Sequence, residues 1–97
     1  MGSMREPKEL ADLRHEIDQI DTTLMSLLVK RQKAVKQVAI IKHKHKLPIK
    51  NLARWKKVMQ KQRQLAAKHK LSIRRIDTIW DTLHEMAIEA EIEELRK

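Results

Sequence analysis

This sequence predicts an all-α protein, and three observations carry the prediction. Apolar residues recur at three- and four-residue intervals from Leu10 to Ile41, the period of an amphipathic helix rather than the alternation of a strand. With one Gly and two Pro in 97 residues, little in the chain interrupts a helix. Charged residues make up 36% and hydrophobic residues 41%, a balance that suits long helices with one wet face. The length suffices for one small domain with one core.

The first helix is expected over about 8–46. Leu10, Leu13, Ile17, Ile20, Leu24, Leu27, Ala34, Val38 and Ile41 form its apolar stripe, Pro7 suits its first turn, and Pro48 closes the pattern after Leu47. A helix of that length is ~57 Å long at 1.5 Å per residue, whereas a compact domain of this size has a radius of gyration near ~13 Å. Its own chain cannot cover such a rod, so an interlocked homodimer with two-fold symmetry is the economical arrangement. A second helix is expected over 51–70, with Leu52, Trp55, Val58, Met59, Leu65 and Ala66 on its apolar side. Ser72 reads as the N-cap of a third over 73–96 that carries Ile73, Ile76, Ile79, Trp80, Leu83, Ala87, Ala90, Ile92 and Leu95. Residues 8–97 thus read as a single domain, with 1–7 as a leader in which Met1-Gly2-Ser3-Met4 looks like an expression remnant.

Several classes of function are disfavoured. Without Cys there is neither a disulfide nor a thiolate nucleophile. No apolar run approaches the ~20 residues of a membrane span and no signal peptide opens the chain, so a cytoplasmic protein is expected. His43, His45 and His69 do not share a face with metal-ligand spacing, and no cofactor is expected. The net charge of +9 calls for anionic partners without giving their size. Lys42, Lys44, Lys46, Lys50, Arg54, Lys56, Lys57, Lys61 and Arg63 could face nucleic acid. The absence of Phe and Tyr and of any recognised nucleic-acid motif argues against that reading.

Two cations interrupt the helical pattern. Written in heptads, one row of the first helix reads Leu10, Ile17, Leu24, Arg31, Val38, so a guanidinium stands at a core position. It either snorkels to solvent, pairs with a carboxylate, or meets an anionic ligand. Lys42, eleven residues on, returns to nearly the same face. Arg14 flanks the seam but stands ~25 Å from Arg31 along the axis, so the two can share a small ligand only across an antiparallel dimer. In the third helix Ala87 and Glu91 lie one turn apart. Spacing alone makes Glu91 an exposed acid in the run "EAEIEEL".

The stretch "LRHEIDQIDTTLMSLLVKR", from Leu13 to Arg31, resembles the first-helix signature of the all-α AroQ-type chorismate mutases, "R..ID.ID..L..LL..R". The resemblance continues without a gap through Lys42, the loop "LPI" and Arg54. It implies an intertwined helical homodimer that converts chorismate to prephenate, a Claisen rearrangement in aromatic amino acid biosynthesis. By position, Arg14 from one subunit and Arg31 from the other would bind the substrate carboxylates, and Lys42 would donate to the ether oxygen whose bond to carbon breaks. Glu91 would be the second donor to that oxygen, Arg54 a basic group beside the site, and Ala87 would replace a small polar residue of some members.

The chemistry implied needs no nucleophile, metal or proton transfer. It needs a dianion held in a compact chair, with cationic donors aimed where charge develops. Two positions depart from the family, which commonly has an acid at position 51 and a Glu at position 55 that reads the ring hydroxyl; this chain has Asn51 and Trp55. Trp55 offers one indole N–H on an apolar body, so it reads equally as a core aromatic or as a ligand contact. Altered residues there would also suit an isochorismate-pyruvate lyase, an amino-deoxychorismate mutase, or a weakly catalytic member. An ionised Glu91 cannot donate to the ether oxygen, so it is expected to be protonated when active or salt-bridged to Lys42 when not.

Overall fold

The computed structural model describes residues 6–97. Of the leader expected over 1–7, residues 1–5 lie outside the described residues. The architecture is all-α, with α1 over Lys8–Lys44, α2 over Leu52–Lys68 and α3 over Ile73–Leu95, and there is no strand among the described residues. The chain divides into two compact units, Met1–Arg31 and Gln32–Lys97, with α1 running through the boundary as one uninterrupted helix.

Each helix starts where the sequence provides acceptors for its first N–H groups. The Pro7 carbonyl accepts from the amides of Leu10 and Ala11, both at 3.1 Å, so Pro7 sits just outside α1 rather than in its first turn. Asn51 caps α2 by accepting the Arg54 amide at 3.1 Å, and Ser72 caps α3 by accepting the Arg75 amide at 3.2 Å.

The ends of α1 and α2 share one device. Past Lys44 the Lys46 amide donates to the His43 carbonyl at 3.1 Å and the Leu47 amide to the Lys42 carbonyl at 2.8 Å. Past Lys68 the amides of Lys70 and Leu71 repeat the pattern on Ala67 and Ala66, at 3.2 and 2.8 Å. This is a Schellman closure, which requires a left-handed residue usually supplied by glycine. Here Lys46 and Lys70 fill that place at φ 57°. The turn, rather than Pro48 alone, is therefore what ends α1 at Lys44. Because a Cβ is disfavoured at that angle, Lys46→Gly and Lys70→Gly are each expected to stabilise the protein by about 0.5–1 kcal/mol, read as a rise of a few degrees in the thermal midpoint.

In the first unit the helix presents its apolar rows to solvent, with Leu13, Ile17, Ile20, Leu24 and Leu27 each more than half exposed. In the second unit α2 packs on α3. The buried apolar residues there are small or flexible, namely Ala39, Met59, Ala66 and Ala90, and no large side chain among the described residues is fully buried. A bidentate pair from Arg63 to Asp77, at 2.8 and 3.1 Å, ties the far end of α2 to the start of α3. The hydrogen bond to Asp77, and then its charge, hold the Arg63 pKa above its usual value. The guanidinium stays charged.

Candidate active site

Lys42 lies in the last turn of α1, and the Schellman turn folds the following loop back over it. Its ammonium Nζ donates to the Ile49 carbonyl at 2.6 Å and to Glu91 Oε1 at 2.9 Å. The Glu91 side chain is 7% exposed and that of Lys42 20%. Glu91 is thus not the exposed acid its neighbours suggest. α3 turns Ala90 and Glu91 inward while Glu89 and Glu93 face water, and the ammonium compensates the buried carboxylate.

This geometry leaves chemical capacity at Lys42. An ammonium carries three N–H donors, and two are committed to Ile49 and Glu91. The third remains for an acceptor on a ligand, with the direction of the side chain fixed by the first two. Gln32, on the same helix, donates from Nε2 to the Met86 carbonyl at 3.4 Å, a second link from α1 to α3.

Ala87 is half-buried one turn before Glu91, and His84 stands one turn earlier again. The His84 imidazole stacks on the Trp55 indole, with ring centroids 4.0 Å apart and an angle of 19° between planes. Trp55 is half-buried, so it is neither an enclosed core aromatic nor a free surface ring. With Lys50, Asn51, Leu52 and His84 it lines a groove of about 290 Å³. Asn51 contributes less than its side chain offers, because one lone pair of Oδ1 is used by the helix cap, leaving the other and the amide N–H groups. Arg54 is exposed on the first turn of α2, and its backbone amide is the group that Asn51 caps.

Arg14 and Arg31 belong to the other unit. Arg31 is half-buried, whereas Arg14 is exposed and paired with Glu6. Lys44, Lys46, Lys56 and Lys57 are exposed, a solvated basic rim around the Lys42 end of the chain. No group of three metal-ligating side chains occurs among the described residues. Sequence reasoning overlooked two contributors, the Ile49 carbonyl and His84. No residue-type signal marks a backbone acceptor, and His84 could have been found only by noticing that it falls two helical turns before Glu91 on the same face.

Comparison with known proteins adds an independent finding. The family described as chorismate mutase type II matches residues 13–92. The chain is 34% identical over 62 residues to a chorismate mutase of Methanocaldococcus jannaschii, covering 64% of this chain and 63% of that protein. It is 31% identical over 85 residues to a bifunctional chorismate mutase/prephenate dehydratase of Buchnera aphidicola, covering 88% of this chain and 22% of the relative. A 40-residue stretch is 52% identical to the T-protein of Haemophilus influenzae, covering 41% of this chain and 11% of the relative. The chain therefore spans less than two thirds of each of these relatives. No solved structure matches it at comparable significance.

Proposed function

The chain belongs to the type II chorismate mutase family, and from that premise we propose that it rearranges chorismate to prephenate in aromatic amino acid biosynthesis, as a cytoplasmic enzyme. The observation that carries the reading is the Lys42 ammonium, oriented by the Ile49 carbonyl and Glu91 with one donor left over. In a pericyclic rearrangement negative charge grows on the ether oxygen as its bond to carbon breaks. A fixed ammonium donor stabilises that charge without reorganising at the moment of reaction.

The carboxylates of the dianion call for guanidinium forks. Arg31 is the candidate on the subunit that supplies Lys42. Arg14 is the candidate from a second copy, since the uncovered apolar rows of residues 8–31 are the kind of surface a partner helix buries. Lys50, Asn51 and His84 are the polar residues that line the groove, with Leu52 and Trp55 as its apolar part, and Arg54 and Ala87 remain candidates for substrate contact outside that lining. No described helix is long and apolar enough to cross a membrane.

Glu91 bears on the same donor. Its carboxylate pairs with Lys42 and would repel the charge growing on the ether oxygen, whereas Glu91→Gln keeps a donor there without that charge, so the variant is expected to turn over chorismate at least as fast as the parent at neutral pH. The test is incubation of the protein with chorismate at mildly acidic and neutral pH, with products identified by NMR and Arg31→Ala as the control. Prephenate formed faster by the parent than by the control supports the proposal. Intact chorismate at both pH values sinks it and makes isochorismate and amino-deoxychorismate the next substrates to offer.

A further inference from the structure

The groove has no carboxylate in its lining, and two of its side chains, Asn51 and His84, can both donate and accept a hydrogen bond. Asn51 already accepts from the Arg54 amide, which leaves His84 the less committed of the two. The near-parallel stack on Trp55 occupies the face of the imidazole and leaves both ring nitrogens on its edge. No hydrogen bond to another described residue occupies either of them.

The groove and the ion pair are linked through two short stretches of chain. Ile49, whose carbonyl holds Lys42, is followed directly by Lys50 and Asn51, which line the groove. On α3, His84 and Glu91 are two turns apart on one face, about 10 Å along the axis, with the small Ala87 between them. A compact dicarboxylate whose ether oxygen meets Lys42 could extend along this face of α3, past Ala87 and toward His84. The groove volume is close to the ~300 Å³ lower bound of small-molecule sites, enough for the ring end of such a ligand.

We propose that His84, held flat by Trp55, is a specificity-determining residue that recognises the ring hydroxyl of the substrate; this rests on the function proposed above. A hydroxyl both donates and accepts, and an imidazole can meet it with either an N–H or a bare ring nitrogen, whereas the indole N–H can only donate. Lys50 on the same wall disfavours a cationic amino group in that place. The chain therefore selects a hydroxylated ring over an aminated one, without an acid at position 55.

The test compares kcat/KM for chorismate and for the analogue with hydrogen in place of the ring hydroxyl, in the parent, His84→Leu and His84→Asn. His84→Leu is expected to lower kcat/KM for chorismate by roughly 10- to 100-fold while changing the deoxy analogue by less than about threefold. His84→Asn, which keeps a donor and an acceptor, recovers part of the loss. Parallel loss on both substrates in both variants would show a packing role and overturn the proposal, as would unchanged discrimination. Parent enzyme that leaves chorismate intact overturns the functional reading itself, and with it this one. Parent turnover with parallel variant losses overturns only the assignment of His84.

Discussion

Lys42→Met is expected to lower kcat/KM for chorismate by about 100- to 1,000-fold, the usual cost of removing one preorganised donor to a developing oxyanion. The same change is expected to destabilise the protein by on the order of 3 kcal/mol, because Glu91 would be left buried without a countercharge. The two effects have separate causes and can be parted. In Lys42→Met/Glu91→Leu both charges are gone and the volume is roughly kept, so the urea midpoint should return toward that of the parent. Turnover should not return with it. Recovery of both in the double variant would mean that Lys42 acts only by keeping α3 in place. Retention of most activity in the single variant would remove Lys42 from the chemistry altogether.

The second large effect concerns Arg14. If a partner subunit supplies this guanidinium, Arg14→Ala and Lys42→Met are each nearly inactive, but for reasons that lie on different chains of one site. Unfolded together and refolded as a mixture, they should regain activity. Random pairing places one intact site in each mixed dimer and makes half of the dimers mixed, so about a quarter of the sites should work. The readout is turnover of the refolded mixture against each variant refolded alone. A mixture no more active than its components would mean that Arg14 serves its own chain or none. Size-exclusion chromatography of the parent settles separately whether a dimer forms.

Much of the architecture was legible because it depends on local signals. The three- and four-residue spacing from Leu10 to Ile41 and the absence of breakers show α1 directly, and Ser72 ahead of an apolar run marks the start of α3. Lys42 was legible as a charge on an apolar face. The resemblance also raised its pairing with Glu91, but the Ile49 contact was not legible, since it depends on a turn built by Lys46, a residue whose type gives no hint of a left-handed conformation. Glu91 was misread on composition alone because acids surround it, and only the rotation of α3 against Lys42 decides which of them is buried. Asn51 illustrates the opposite error. An asparagine three residues before Arg54 at the head of an apolar helix is an N-cap by ordinary rules, and considering it only as a ligand contact passed over the role its oxygen performs. His84 was missed because its significance lies in the ring stacked on it from another helix.

The two contacts of Lys42 differ in how much chain they close. The bond to Ile49 spans seven residues, whereas the bond to Glu91 spans forty-nine. At about 0.6 kcal/mol per doubling of loop length, the shorter closure loses roughly 1.7 kcal/mol less chain entropy than the longer one. The end of α1 can therefore orient its ammonium as a local event, ahead of any docking of α3, and the carboxylate arrives at a donor already in position. Variation along α3 can then retune the charge facing Lys42 while the lysine keeps its aim.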